Sequence, residues 1–514
     1  MAQGKAAWML ATMLLILSGC ATHQLRDVPL QHSYALPAAP AGTLFEATQR
    51  IEQLNGAGKS TYLALADNLE ALRWRLLLAD LATETLDAQY YLWNGDASGK
   101  LLVLHLLDAA DRGVRVRLLV DDVFTIDSDT NIAAINSHPN IEIRIFNPWK
   151  DRGSLLRRMT EYIGSSQRLN QRMHNKLFVA DNHVAIVGGR NIGNPYFGLG
   201  EHYNFRDLEV VTAGPVTEDI SDSFDLYWND DWAVTGEAFS PPGYKPPDIA
   251  ASREALRAEL QEMQVFEQAG LEYQLHYQQL LAELVDASDT GDVWVVYDDP
   301  PAAVANDTGV RKVAKLQGIS KTFNHDLVIA SAYFIPDELF LDNLRALTER
   351  GVRVRVITNS LASTNHTMVN SGYAPWRRRL LEAGVELFEY RGDIADTGGI
   401  VAPGINSHAI TLHTKAFVVD NETVYIGSLN MDPRSLHINT EMGLLIRDPG
   451  LATEVMLALQ QDMQPENSWR VSLNEDNELT WESTAGTVQL QPARSFGQRV
   501  ADFLYGLLPI KDQL

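Results

Sequence analysis

The chain has a single cysteine, Cys20, among its 514 residues. One thiol excludes an internal disulfide framework, so the fold must rest on a packed core. Cations are also scarce: 42 Lys and Arg stand against 66 Asp and Glu, a formal net charge of −24. Affinity for a nucleic-acid backbone comes largely from Lys and Arg, so this balance argues against a general nucleic-acid binder and reads as solubility. No stretch reaches the ~18 apolar residues of a membrane-spanning helix. There is no His-Glu-x-x-His and no His/Cys cluster to hold a metal, so neither metal nor cofactor is expected.

What is present describes a globular protein. Hydrophobic residues make up 45% and charged residues 21%, too much apolar content for a disordered chain. The length exceeds one core and suits two domains. At the N-terminus, Lys5 precedes a short apolar run from Ala6 to Leu17 and then Leu17-Ser-Gly-Cys20. This pattern predicts a signal peptide over 1–19. It is similar to the lipobox of bacterial lipoproteins, which implies acylation of Cys20. The reading that follows is a lipid-anchored tether over 20–60, rich in Pro, Ala and Gly. Ala21, rather than Asp, follows Cys20. By resemblance to lipoprotein sorting signals this favours the periplasmic face of the outer membrane over the inner membrane.

The chain repeats itself. A helical pattern over Tyr62–Ala82 leads to a buried strand rich in aromatics, Thr85–Trp93, a helix over Leu101–Ala110, and a strand, Val114–Val120. The same order returns as Leu327–Phe334, Asn343–Glu349 and Val352–Ile357. Ile141–Phe146 then matches Val385–Tyr390. Strands alternating with helices predict two duplicated α/β sandwich domains, over 61–240 and 291–470. A Pro-rich linker and a charged helical connection separate them over 241–290, and a segment over 471–514 follows. Its stretch from Phe496 to Leu508 mixes Phe, Leu and Tyr with Arg494, Arg499 and Lys511 nearby. Both a helix on a membrane surface and a helix packed on its domain fit this composition.

One stretch carries the chemistry. His174–Asn191 reads HNKLFVADNHVAIVGGRN, and His413–Asn430 reads HTKAFVVDNETVYIGSLN. In both, His-x-Lys precedes an Asp and then Gly-(Gly/Ser)-x-Asn at identical spacing. Asp181-Asn182 and Asp420-Asn421 are turn formers between apolar runs, which predicts a β-hairpin. His and Lys two residues apart share a strand face. Asn191 or Asn430 returns an amide to that face. An imidazole, an ammonium and an amide suit a phosphate. One set gives one histidine; two sets give a nucleophile and a general acid, provided the halves face each other about a pseudo-twofold. Asp181 and Asp420, in the turns, read as scaffold. Asp207 and Glu441 are the better candidates to hold the imidazoles at Nδ1.

The motif resembles the HKD signature of the phospholipase D superfamily. Ala88–Trp93, Arg112–Asp122, Arg172–Lys176, Gly188–Gly193, Gly372–Arg377 and Asn439–Gly443 further resemble the cardiolipin synthase C-type branch of bacterial phosphatidyltransferases. That resemblance implies metal-independent phosphatidyl transfer between phospholipids, with His174, Lys176, Asp181 and Asn191 and His413, Lys415, Asp420 and Asn430 as the site. It also implies a phosphatidyl-histidine on His174, with His413 as acid and base. The substrates it implies are phosphatidylglycerol, with phosphatidylethanolamine as a second candidate. Headgroup hydrolysis by the same intermediate, a nuclease, and a non-catalytic lipoprotein are the competing readings. His183, His202, His408 and His437 read as surface or packing residues. The basic run Arg152, Arg157, Arg158, Arg168 and Arg172 fits a solvated surface and an attractor of anionic headgroups equally well.

Overall fold

The computed structural model describes residues 24–123, 128–153, 155–241, 243–263, 265–268, 277–287, 290–305, 310, 316, 323–394, 397–407 and 409–508. Cys20, the leader-like run and His408 lie outside them.

Each half is built on a mixed sheet, and the two sheets share one strand order. In the first, the order is Thr61–Leu65, Glu209–Ala213, Val184–Gly188, Leu177–Ala180, Thr85–Tyr90, Arg115–Asp121, Ile141–Phe146 and Ala233–Thr235. In the second it is Asp292–Tyr297, Met442–Arg447, Thr423–Gly427, Lys415–Val419, Asp326–Ser331, Arg353–Asn359, Glu386–Tyr390 and Ser468–Leu473. In each sheet three strands run parallel. The first crossover is the β-α-β unit read from the sequence, and the second carries helices not read there, Asp129–Ile135 in one half and Thr367–Tyr373 with Trp376–Glu382 in the other. Nearly every position of these strands is buried, polar Asp87, Gln89, Arg117 and Arg144 included. The motif forms the expected antiparallel hairpin. Asp181 and Asn182 take φ of 53° and 54°, and Asp420 and Asn421 take 52° and 54°. Positive φ at two successive positions marks the central pair of the turns Ala180–His183 and Val419–Glu422, each closed by a 3.0 Å bond from the last N–H to the first carbonyl, and Asp and Asn tolerate it.

Three boundaries differ from the sequence reading. Residues 24–60 are no free tether. Thr43–Asn55 is a helix that buries Leu44, Ala47 and Ile51, and spacings of three and four residues put them on one face. Thr48 Oγ1 lies 3.0 Å from His183 Nδ1, and Ala39 N–H donates to Asp181 O at 3.0 Å. The Pro and Ala content of the segment obscured this face. The pattern over 62–82 also divides. Thr61–Leu65 is a strand, and Asp67 caps a helix over Asn68–Leu81 by accepting from Glu70 N–H at 2.8 Å. Finally, the second sheet does not end near 470. Leu479–Ser483 and Gly486–Val488 extend it. The connection contains the helices Ile249–Glu262, Val265–Gln268 and Tyr277–Asp286, and their Leu260, Phe266, Leu280 and Leu284 join the core of the first half.

The halves share a core. Leu177, Val179 and Val187 of the first hairpin pack in one cluster with Ala416, Val418 and Ile426 of the second. The helices Val216–Trp228 and Pro449–Asp462 fill the same cluster. Backbone crosses between halves as well: Asn204–Arg206 pairs in parallel with Ile410–Leu412, and Met173 bridges to Thr440. Arg206 Nε bonds Asp462 Oδ1 at 3.0 Å in this interface, with both side chains buried. Identical sheet order and reciprocal crossing contacts are the pseudo-twofold that the duplicated sequence predicts.

Candidate active site

The two motifs meet, and they exchange partners. His174 Nδ1 lies 2.9 Å from Glu441 Oε2, and His413 Nδ1 lies 2.6 Å from Asp207 Oδ2. Each imidazole is therefore held by a carboxylate of the other half. The backbone sets this crossing. His174 N–H donates to Thr440 O at 2.9 Å, and His413 N–H donates to Arg206 O at 2.7 Å. Those carbonyls belong to the residues just before Glu441 and Asp207. One register therefore delivers both the main-chain bond and the carboxylate. With each Nδ1–H pointed at a carboxylate, Nε2 is the nitrogen left for chemistry.

The loops leading to the histidines are pinned in parallel fashion. Asp121, at the end of its strand, accepts from Met173 N–H at 3.0 Å and from Arg172 Nη1 at 3.0 Å. Asn359, at the end of the matching strand, accepts from Leu412 N–H at 2.9 Å and donates Nδ2 to Leu412 O at 2.7 Å. Sequence reasoning named neither residue as part of the site. Their position at the C-terminal end of a parallel strand was the available signal. Aromatic walls complete the enclosure. The Tyr91 ring sits edge-on to His174 at 5.0 Å, and Tyr196 sits edge-on to His413 at 5.4 Å.

The predicted motif residues fall into separate groups. Lys176 and Lys415 lie beside the histidines, each donating to the carbonyl of its own motif His. Asp181 stands at the far end of the hairpin. It accepts from the backbone N–H groups of Thr83, Glu84 and Thr85 at 2.8–3.1 Å. Asp420 does the same for Asn324, His325 and Asp326 at 2.7–3.3 Å. The Asp of the motif thus ties its hairpin to the entry of the neighbouring strand. Asn191 is less free than expected: Nδ2 donates to Tyr196 Oη at 3.0 Å, and Oδ1 accepts from Leu92 N–H at 3.2 Å. Asn430 is buried in the second motif, and its Oδ1 has no partner among the described residues.

Burial dominates the electrostatics. His174 and His413 are only 8% and 5% exposed. Burial, followed by the charges of Lys176 and Lys415, holds His174 well below its ordinary value, so it is neutral. Burial and then Lys415 lower His413 to about 3, with Asp207 opposing them. The ammonium groups are lowered too, Lys176 to about 7 and Lys415 to about 8, again mainly by burial. Burial pushes Glu441 up to about 7 against the pull of Lys176. Burial also acts to raise Asp207, but His413 and Lys415 outweigh it and the net shift is downward. The site thus gathers more groups able to carry positive charge than its low dielectric favours. An arriving phosphodiester anion supplies the missing counter-charge and stabilises the imidazolium and ammonium forms.

The basic run before His174 does not form an open headgroup attractor. Arg152 Nη1 bonds Asp122 at 2.5 Å and Arg172 Nη1 bonds Asp121 at 3.0 Å, both pairs buried. Arg168 Nη2 pairs with Glu161 at 3.0 Å. These guanidinium groups brace the loop that presents His174. His183, hydrogen-bonded to Thr48 and Ala39, is structural, as read.

Comparison with known proteins agrees with this geometry. A family model described as "Cardiolipin synthase, PLD-like domain" matches residues 78–228 and again 316–463. Cardiolipin synthase C of Escherichia coli is 36% identical over 470 residues, covering 88% of this chain and 96% of that protein. Cardiolipin synthase A of Pseudomonas putida is 27% identical, covering 88% and 73%. Among solved structures, phosphatidylserine synthase of Haemophilus influenzae superposes with a TM-score of 0.56 at 17% identity, covering 91% of this chain and all of that one. This last likeness is one of fold.

Proposed function

The chain belongs to the PLD-like cardiolipin synthase family, and from that premise we propose that it transfers a phosphatidyl group from one phospholipid to a hydroxyl of another. The observation that carries this reading is the crossed pair of carboxylate-held histidines with a lysine beside each.

The transfer runs in two steps. Neutral His174 Nε2 attacks the phosphorus of a donor such as phosphatidylglycerol. A P–N bond forms, the P–O bond to the headgroup breaks, and His413, charged as the imidazolium once the phosphodiester is bound, gives its Nε2 proton to the departing glycerol oxygen. A hydroxyl of a second phosphatidylglycerol then replaces the glycerol. His413 takes the proton of that hydroxyl as its oxygen attacks phosphorus and the P–N bond breaks. The products are one cardiolipin and one glycerol. Lys176 and Lys415 offset charge on the non-bridging oxygens in both steps, the role a metal ion plays in many other phosphoryl-transfer sites. Glu441 and Asp207 hold the tautomers and support each imidazolium as it forms. The depth of both histidines favours an alcohol acceptor over water, because partial closure keeps the intermediate dry.

The test is purified enzyme on phosphatidylglycerol vesicles. Cardiolipin and free glycerol are expected in equal amounts, and His174→Ala and His413→Ala are expected to make neither. Phosphatidic acid as the sole lipid product would make the enzyme a hydrolase. Degradation of DNA abolished by His174→Ala would make it a nuclease. The same reading places acylated Cys20 in the cell envelope, on the periplasmic side of the outer membrane. It rests on Leu17–Cys20 and on Ala21. Fractionation of the two membranes tests it, and recovery in the inner membrane would overturn it.

A further inference from the structure

The helix Phe496–Gly506 near the C-terminus is docked with its polar side inward. Asp502 is buried, accepting from Asn370 Nδ2 at 2.8 Å and from Gln491 Nε2 at 2.9 Å. Gln498 Nε2 donates to Leu361 O at 2.6 Å, and Arg494, just before the helix, donates to Thr364 O at 2.7 Å. The apolar side faces out. Phe496 is 79% exposed, Phe503 67% and Leu507 68%, with Val500, Leu504 and Leu508 in the same stripe. These residues recur at intervals of three, four and one, along one face of a helix. A helix that only capped its domain would bury this face and hydrate the other. A contiguous exposed apolar stripe marks an interaction surface.

The position of the stripe identifies what covers it. Leu361 and Thr364, which hold the helix, belong to the loop that follows Asn359. Asn359 itself grips Leu412, the residue before His413. In the same loop, Ser363 O accepts from Thr411 Oγ1 at 2.7 Å. The helix therefore hangs on the loop that braces the strand Ile410–Leu412 leading into His413. Next to it is an open groove of about 710 Å³ lined by Trp469, Val488 and Leu490, with Arg494, Arg499 and Asp393 as its charged residues. A second apolar patch hangs from the other histidine. Met159, Tyr162 and Ile163 are exposed on the helix Leu155–Asn170. Its last residue is held by Arg434, and the helix ends four residues before His174. The charge permits an anionic surface. In a chain of net charge −24, the helix Phe496–Gly506 carries only Arg499 and Asp502, and Asp502 is turned inward.

We propose that the outward face of the helix Phe496–Gly506, with the patch on Leu155–Asn170, seats the enzyme on the surface of a phospholipid bilayer and so brings lipid headgroups to the two histidines. This deepens the phosphatidyl-transfer reading and rests on it. The apolar side chains enter the headgroup and acyl boundary, as an interfacial helix does.

The test uses the full-length chain carrying Cys20→Ser, so that no acyl anchor contributes, and vesicles of phosphatidylglycerol and phosphatidylethanolamine. Phe503→Glu with Leu507→Glu changes only outward side chains. Flotation with vesicles, and cardiolipin formation from them, should each fall at least about fivefold. Turnover of dihexanoyl phosphatidylglycerol below its micelle concentration should stay within about twofold, because the histidines are untouched. Ile163→Glu should act in the same direction, and Phe503→Leu with Leu507→Phe should keep flotation. Unchanged flotation and vesicle turnover in the Glu variants would overturn the proposal. So would a parent dimer that the Glu variants split into monomers without loss of flotation, since the stripe would then join two copies. If the parent turns over neither lipid, the transfer reading fails on its own, while flotation still decides this one.

Discussion

Gly189 and Ser428 occupy the same place in the two motifs, and the difference between them follows from the carboxylates they face. A side chain at Gly189 would put its Cβ 2.4 Å from Asp207 Oδ1. At Ser428 the hydroxyl donates to Glu441 instead. Gly189→Ser copies the other motif, yet it should push Asp207 from His413. A displacement of that size is expected to lower turnover by roughly 10²-fold with little change in fold, because catalysis depends on sub-ångström placement. Steady-state rates with near-ultraviolet circular dichroism check it, and wild-type turnover would sink the idea. The lysines give a pH prediction. Their pKa values are lowered, to about 7 for Lys176 and about 8 for Lys415, so the cation is present below these values and lost as pH rises through them. kcat/KM reports the free enzyme. For an anionic substrate it is therefore expected to fall from about pH 7 to 8 upward, well before an ordinary lysine titrates near 10.4. A profile flat to about pH 9.5 would contradict this placement of the ammonium groups.

At the scale of elements, the hairpin was legible because its signals are local. Asp-Asn between two apolar runs names the turn, and the turn puts Asp at the end away from His. That separation makes a clean test. Asp181→Ala removes an acceptor shared by three backbone N–H groups. Leaving these unpaired should cost about 1–3 kcal/mol each at most, with partial relief from water at the partly buried positions. The expected outcome is a lowered Tm with turnover per folded molecule within about fivefold, whereas His174→Ala abolishes turnover outright. Equal loss in both variants would put Asp181 in the chemistry. Other features were not local and were not legible. Nothing in the spacing tells that Glu441 serves His174 and Asp207 serves His413, because the exchange depends on how two sheets dock. Asp121 and Asn359 look like the polar ends of apolar strands, and only the backbone of Met173 and Leu412 reveals their work. In the segment 24–60 the helix is hidden from the sequence because Pro and Ala weigh more in composition than Leu44, Ala47 and Ile51 on one helical face.

For the whole molecule, duplication is what makes the site, since each motif histidine takes its carboxylate from the other half. The contact that holds the halves in register is therefore part of the catalytic design. Arg206 is its centre. Its carbonyl accepts from His413 N–H at 2.7 Å, the next residue is Asp207, and its guanidinium bonds Asp462 of the other half at 3.0 Å. Both partners are buried, and Asp462 pulls the Arg206 pKa upward against its burial. Removing one member leaves the other charged with no counter-ion, which typically costs about 3–5 kcal/mol, far more than the pair contributes as a whole. Asp462→Ala is thus expected to lower Tm sharply. In the fraction still folded, it should reduce turnover more than it weakens substrate binding, because displacement of Arg206 moves Asp207 and His413 together. Asp462→Ala combined with Arg206→Met should recover much of the stability, since an apolar pair carries no stranded charge. Thermal unfolding and kinetics of the three variants, read as a double-mutant cycle, check this. Additive losses in Tm would show that the pair does not couple the halves. Recovery of stability without recovery of turnover would locate the contribution of Arg206 in the placement of His413.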